Sequence, residues 1–123
     1  NKGIYRNLMV TDLLDFLANP PVLTARYDLV TAADVLNYLG DLRPVFAGVH
    51  SHLNAGGLFA FSLEHLPAGR FELRDSGRYQ HSLSYLKALA HETSFEVKAS
   101  QPTDYRVERG VPVHGYVHIL VRQ

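Results

Sequence analysis

The 123-residue sequence has no cysteine and no long apolar run. Without cysteine the chain forms no disulfide and no thiolate metal site, and a reducing compartment such as the cytoplasm is the expected location. A membrane-spanning helix needs about 20 consecutive apolar residues, and no stretch reaches that length. We therefore expect no association with the membrane.

The chain also has no excess of positive or negative charge, because 12 Lys and Arg residues balance 12 Asp and Glu residues. This neutrality argues against a surface that binds nucleic acid or another polyanion. The nine glycines form neither G-x-G-x-x-G nor a P-loop, and no serine lies in G-x-S-x-G. The sequence thus carries no dinucleotide-binding or phosphate-binding loop and does not fit a hydrolase with a serine nucleophile.

The seven histidines lack the spacing of a metal site. His50 and His52 lie two residues apart in a predicted helix, so their side chains do not share a face. His118 alternates with apolar residues, which is typical of a core or edge histidine in a strand, and His91 is expected to face solvent. We predict no metal site.

Apolar runs alternate with amphipathic segments along the chain. Strands are predicted at Leu8–Thr11, Tyr27–Ala33, Leu58–Leu63, Phe95–Ala99 and Tyr116–Val121. Apolar spacing of three and four residues predicts helices over Leu42–Leu53 and Ser82–Ala90, and polar loops are predicted at Glu64–His81 and Gln101–Pro112. This order predicts an α/β layered sheet in a single domain, with the last two strands antiparallel because no helix separates them.

Three of these strands end in a carboxylate, namely Asp12, Asp34 and Glu64. Ligands of open α/β sheets bind outside the carboxyl ends of the strands, so the three residues are candidates for a site. Each is equally well explained as the cap of a following helix. The pattern alone therefore leaves both interpretations open.

Longer stretches resemble class I S-adenosylmethionine-dependent methyltransferases. YDLVTAADVLNYLGDL (residues 27–42), an amphipathic helix and LNAGGLFAFSLE (residues 53–64) resemble the fourth strand, the next helix and the fifth strand of that family. LMVTDLLDFL (residues 8–17) resembles the third strand and its acidic loop. SGRYQHSLSYLKALAHETSF and GVPVHGYVHILVRQ resemble the later part of a bacterial subfamily of predicted methyltransferases associated with tetratricopeptide repeats.

The resemblance implies a particular sheet. The family has seven strands in the order 3-2-1-4-5-7-6, with strand seven antiparallel, and this chain matches strands 3 to 7. We therefore expect an incomplete Rossmann-like methyltransferase sheet whose first two strands, which carry the glycine-rich cofactor loop, are missing. Residues 1–123 would be the C-terminal portion of a longer enzyme and inactive alone. The open sheet edge would lead to self-association or to disorder of residues 1–26.

The resemblance also implies S-adenosylmethionine as cofactor and assigns residues to it. Asp12 would accept a hydrogen bond from the adenine amino group, which suits an ionised carboxylate. Leu13 would offer its backbone N–H to the adenine ring. Ala32 and Ala33 would lie beside the methionine part and the methyl group, where small side chains leave room.

The remaining assignments concern the methyl acceptor, whose identity, small molecule or protein, the sequence leaves open. Asp34 and His81 are the candidate catalytic bases for an acceptor that must lose a proton. Tyr38 and Tyr79 are the candidate substrate-binding residues.

Two alternatives share the predicted layer order. A fragment of a nucleotide-binding oxidoreductase would also alternate strands and helices, although the antiparallel last strand favours the methyltransferase. A non-catalytic interaction or scaffold module with the same fold is the other alternative. Binding of S-adenosylhomocysteine by the complete domain would separate catalysis from a scaffold.

Overall fold

The computed structural model describes residues 27–32, 35–108 and 110–123. Its strands are β1 (Tyr27–Ala32), β2 (Leu53–His65), β3 (Phe71–Leu73), β4 (Tyr79–His81), β5 (Phe95–Glu108) and β6 (Val111–Arg122). Its helices are a 3-10 turn (Leu36–Tyr38), α1 (Arg43–His52) and α2 (Leu83–Glu92). Neither described α-helix has the length and hydrophobicity needed to cross a bilayer. The predicted strand Leu8–Thr11 lies outside the described residues.

Strand β2 lies at the centre of the sheet. β1 pairs with one edge of β2 in parallel, with Val30 opposite Phe59. β6 pairs with the other edge in the antiparallel direction, with Phe61 opposite His118, and β5 pairs antiparallel outside β6. The predicted antiparallel ending is confirmed, and the order β1-β2-β6-β5 is the one expected for family strands 4, 5, 7 and 6.

The region predicted as a loop from Glu64 to His81 contains a small hairpin instead. β3 and β4 pair antiparallel, and β4 also pairs in parallel with the last residues of β2, Glu64 opposite Gln80. β4 therefore continues along the edge of β2 that β1 leaves at Phe61. The loop prediction failed because strands of three residues are too short to show alternation, and their pairing partner lies far away in sequence.

The loop predicted at Gln101–Pro112 is wrong as well, because β5 and β6 form one long hairpin. Pro102 lies within β5, which is an edge strand, where a proline is tolerated. β2 pairs with β6 only as far as Gly115, so beyond that point the hairpin is a two-stranded ribbon. Gly110 turns the chain at its tip with a φ of 79°.

An aromatic layer lies between the sheet and the helices. The Phe46 ring of α1 makes edge contacts with Phe59, Phe61 and Phe95, at centroid distances of 5.6, 5.5 and 5.9 Å. Aromatic pairs of this kind contribute about 0.5–1.5 kcal/mol beyond their burial. Three of the four buried residues of α1 are those that the helical spacing predicted, namely Val45, Phe46 and Val49, and the fourth is His52.

Both helices begin as the sequence predicts. The Ser82 hydroxyl accepts a hydrogen bond from the Tyr85 N–H at 3.1 Å and caps α2. Asp41 Oδ1 accepts from the Arg43 N–H at 3.0 Å just before the N-cap residue Leu42, which itself makes no side-chain cap bond, and Pro44 lies in the first turn of α1, where its missing N–H costs nothing. A side-chain cap therefore fixes the start of α2, and the predicted Asp41 cap of α1 is replaced by a bond one position earlier.

Among the described strands, β1 has β2 as its neighbour on one edge and none on the other. Self-association through this edge stays a prediction.

Candidate functional site

A short loop, Val35–Leu42, leads from the carboxyl end of β1 into α1, and we call it the β1 loop. Its 3-10 turn contains Leu36 and Asn37, both fully buried. Asn37 Oδ1 accepts a hydrogen bond from the Glu64 backbone N–H at 3.0 Å. This bond ties the β1 loop to the end of β2.

A buried ion pair lies at the same end of β2. Arg78 Nε donates to Glu64 Oε2 at 2.6 Å, and the two side chains are 5% and 2% exposed. A carboxylate so far from water needs a cation and further hydrogen bonds to offset its lost hydration. The partner cation comes from the residue just before β4, so the pair fixes the small hairpin to the end of β2.

Arg78 also reaches the β1 loop. Its Nη1 donates to the Tyr38 hydroxyl at 2.9 Å, and its Cζ lies 5.0 Å from the centroid of the Tyr38 ring. Tyr38 itself remains 50% exposed. A continuous chain of contacts thus runs from buried Glu64 through Arg78 to an accessible aromatic ring.

His81 holds the β1 loop from the hairpin side. Its Nε2 lies 2.9 Å from the Leu39 carbonyl oxygen and 3.0 Å from that of Gly40. Carbonyl oxygens only accept, so Nε2 carries the hydrogen and Nδ1 is the unprotonated nitrogen. Nδ1 is buried and has no hydrogen-bond partner in the described part of the chain. Burial lowers the pKa of His81, which favours the neutral ring.

Gly40 is in direct contact with the hairpin. A Cβ atom added there would lie 2.7 Å from Phe71 Cε1 and 2.9 Å from Tyr79 Cε2. Only a residue without a side chain lets the β1 loop lie so close to these two rings.

Tyr85, in the first turn of α2, completes the enclosure of the loop. Its hydroxyl accepts from the Leu42 N–H at 2.9 Å and donates to Asp41 Oδ1 at 3.2 Å. Burial raises the pKa of Tyr85, so the phenol keeps the proton that it donates. The β1 loop is therefore held by β2, β4 and α2 together.

We call this group of side chains the polar cap: Asn37, Tyr38, Glu64, Arg78, His81 and Tyr85. The structure brings together Tyr38, Tyr79 and His81 of the predicted site residues, all around the β1 loop. The predicted residues Asp12, Leu13, Ala33 and Asp34 lie outside the described residues. Ala32 ends β1 with its methyl group in the buried core cluster.

Sequence reasoning did not single out Asn37 or Arg78. The signal for Asn37 is a polar amide inside the apolar run VLNYL. The signal for Arg78 is weaker, because an arginine in a polar segment is usually solvated. Only its pairing with Glu64, which is 14 positions away, shows that it is buried.

Two further histidines, His118 and His91, lie as the sequence predicts. His118 is buried and its Nδ1 lies 2.8 Å from the Ser100 hydroxyl, while His91 is exposed. Burial, helped by the nearby charge of Lys87, lowers the pKa of His118 to about 4. Within residues 27–32, 35–108 and 110–123, no three His, Cys, Asp or Glu side chains cluster as a metal site would require.

Known proteins resemble this chain in structure. No protein-family model and no curated protein matches the sequence. An S-adenosylmethionine-dependent methyltransferase of Methanosarcina mazei matches with a TM-score of 0.68 and 13% identity, over 86% of this chain and 64% of that one. The 1,6-didemethyltoxoflavin-N1-methyltransferase of Burkholderia thailandensis, with bound 1,6-didemethyltoxoflavin and S-adenosylhomocysteine, matches with 0.68 and 19%, over 87% and 48%.

A third structure is the magnesium protoporphyrin IX methyltransferase of Synechocystis PCC 6803 with bound S-adenosylmethionine, which matches with a TM-score of 0.59 and 17% identity, over 87% of this chain and 43% of that one. The chain thus spans between 43% and 64% of the length of these three structures. Likeness at such identities establishes the fold and leaves the activity open. The described residues have the fold of the class I S-adenosylmethionine-dependent methyltransferases.

Proposed function

We propose that these residues supply the C-terminal part of an S-adenosylmethionine-dependent methyltransferase, with the acceptor bound at the carboxyl ends of β1 and β2. The observation that carries the proposal is the accessible Tyr38 ring, anchored by the buried Glu64–Arg78 pair at that edge of the sheet. Open α/β sheets bind their ligands at this edge. Support also comes from two of the structural neighbours, which contain S-adenosylhomocysteine and S-adenosylmethionine respectively.

The described residues fit the acceptor side of such a site better than the cofactor side. Tyr38 presents a ring to solvent, whereas the methyl group of Ala32 packs into the core and leaves only backbone at the end of β1. Asp12, Leu13, Ala33 and the backbone of Ala32 remain the proposed cofactor contacts. The cofactor, when bound, supplies a methyl group already activated on a sulfonium, so the protein's task is to position the acceptor.

Asp34 and His81 are the two candidate bases that the family resemblance implies. The geometry restricts His81, because Nε2 donates to the Leu39 and Gly40 carbonyl oxygens and only Nδ1 is free to accept a proton. The His81 side chain is also buried. We therefore propose that His81 acts mainly by holding the β1 loop, and that Asp34 is the base for acceptors that must lose a proton.

We further propose that activity belongs to a longer polypeptide that includes these residues. The resemblance assigns the glycine-rich cofactor loop to family strands that this sequence does not match. Calorimetric titration with S-adenosylhomocysteine tests both parts. We expect the longer polypeptide to bind it with micromolar affinity and the 123-residue chain to bind at least tenfold more weakly.

Two results would overturn these proposals. If the folded longer polypeptide binds no S-adenosylhomocysteine, the methyltransferase assignment fails and the scaffold alternative gains support. If the 123-residue chain binds as tightly as the longer one, the dependence on further strands fails.

A further inference from the structure

Tyr38 is unusual among the aromatic residues of the polar cap because half of its surface is accessible. Phe71 and Tyr85 contact each other at 5.4 Å, and His81 stacks on Tyr85 at 6.0 Å, so these rings lie against one another. Tyr38 instead has the Arg78 guanidinium beside it and solvent over the remainder. This accessible ring lies at the edge of the sheet where open α/β folds bind their ligands.

The ring is accessible but fixed. Arg78 cannot swing away without breaking its 2.6 Å bond to Glu64 in a buried setting, and Glu64 is itself held through its backbone N–H by Asn37. Arg78 Nη1 in turn fixes the Tyr38 hydroxyl at 2.9 Å. Tyrosine has only two side-chain torsions, so this one bond, with the 3-10 turn beneath it, defines the plane of the ring. A surface ordered before binding loses little entropy when a ligand arrives.

The charges of the polar cap limit the class of ligand that it can bind. The positive charge of Arg78 is balanced by Glu64, so this buried pair does not itself attract a charged acceptor. What the polar cap offers is a flat π surface, which favours offset stacking with another planar ring. A puckered aliphatic acceptor would gain less from the same surface.

We propose that Tyr38 is a stacking platform for a planar aromatic methyl acceptor and that the Glu64–Arg78 pair sets its orientation. This inference rests on the proposed methyltransferase function, because it names the acceptor class of that same site. Arg78 and Glu64 are positioning residues in this scheme, since they act through the ring.

The test uses two probes that share one hydroxyl group, the planar 2-naphthol and its saturated counterpart decahydro-2-naphthol. Binding to the full polypeptide is measured by ligand-observed NMR. We expect 2-naphthol to bind at least fivefold more tightly and to show upfield ring-current shifts. Tyr38→Leu should weaken 2-naphthol binding about tenfold, which is the upper range for an aromatic pair. Tyr38→Phe keeps the ring but removes the hydroxyl that Arg78 Nη1 holds, so its affinity should fall between those of Tyr38→Leu and the unmodified protein.

Leu73 provides the matched control, because it is 56% exposed on the neighbouring hairpin and lies outside the polar cap. Leu73→Ala should leave 2-naphthol binding unchanged. An equal loss of 2-naphthol affinity in Leu73→Ala and Tyr38→Leu would show non-specific binding to exposed apolar side chains and would overturn the proposal. Equal affinity for the two probes in the unmodified protein would overturn it too, whether or not the variants fold.

A separate titration with S-adenosylhomocysteine keeps the two proposals distinguishable. If that ligand binds and the probes do not differ, the platform fails while the methyltransferase assignment stands. If the probes differ but S-adenosylhomocysteine does not bind, the ring is a platform in a protein of another function.

Discussion

Two regions of the sheet are covered by different kinds of contact. Under α1 and α2, the rings of Phe46, Phe59, Phe61 and Phe95 fill the space by edge contacts. At the carboxyl ends of β1 and β2, the polar cap joins three chain segments through hydrogen bonds and a buried ion pair. Apolar contacts are non-directional and tolerate small shifts, whereas the cap holds each atom in one place. We therefore expect the aromatic layer to stabilise the fold and the cap to set the geometry of the β1 loop.

The largest expected effect comes from breaking the ion pair. Glu64→Ala leaves Arg78 buried without its carboxylate, which should lower the free energy of unfolding by about 3–5 kcal/mol. Urea denaturation measures the loss. The double variant Glu64→Leu/Arg78→Met removes both charges and should recover most of the stability while losing the anchor of Tyr38. If Glu64→Ala unfolds at the same urea concentration as the unmodified chain, the Glu64–Arg78 pair contributes no more to stability than an exposed ion pair would.

Acid pH should lower the free energy of unfolding through His118. Its pKa is about 4 in the folded chain against 6.5 ordinarily, so the unfolded chain binds more protons between these values. The contribution is fully present above pH 6.5 and is lost as the pH falls toward 4, up to about 3 kcal/mol in all. The lowered pKa of His81 acts in the same direction.

Urea denaturation from pH 7 to pH 4 checks this expectation. His118→Gln should flatten the pH dependence, while His91→Gln, at an exposed position of α2, should leave it unchanged. An identical slope in both variants would mean that other groups are responsible.

A smaller effect is expected from adding a methyl group at Gly40, where the β1 loop contacts the hairpin. Gly40→Ala places a methyl group within 3 Å of the Phe71 and Tyr79 rings, so one of them must shift, at a cost of about 1–3 kcal/mol. Thermal denaturation measures the cost. Gly56→Ala is no suitable control because of its φ of 80°, so Ala47→Gly on the exposed face of α1 serves as a helix-side reference, with an expected loss of about 1 kcal/mol.

The smallest effect concerns the cap of α2, which borders both regions. Ser82→Ala removes the acceptor for the Tyr85 N–H and the donor to the Gly69 carbonyl oxygen, and should cost about 1 kcal/mol. Ser82→Thr keeps a hydroxyl for both bonds and should recover part of the loss. Equal melting temperatures for Ser82→Ala and the unmodified chain would contradict a capping role.

The aromatic layer and the polar cap also differ in how far the sequence predicts them. The aromatic layer follows from local periodicity, because Val45, Phe46 and Val49 recur at helical spacing and Phe59 and Phe61 alternate in a strand. The start of α2 is predicted by Ser82, which directly precedes apolar residues at helical spacing.

The polar cap has no such local pattern. Arg78 pairs with residues 14 and 40 positions away, and His81 with carbonyl groups 41 and 42 positions away. Such pairings depend on topology, which single residues do not reveal. The roles of Asp12, Leu13, Ala32, Ala33 and Asp34 were assigned from family resemblance and stay predictions.

The pairing of β2 sets the room available to the β1 loop. β2 pairs with β1 up to Phe61 and with β4 from Glu64 onward, along the same edge. At about 3.3 Å per residue, the three steps between them separate the end of β1 from the start of β4 pairing by about 10 Å. The β1 loop contacts β2 in this interval, where Asn37 Oδ1 accepts from the Glu64 N–H, so the space for the loop is set by covalent length rather than by side-chain packing. Deleting two residues of β2 within this interval would shorten it by about 7 Å and leave the buried 3-10 turn without room, while every later side chain of β2 stays on its own face of the sheet.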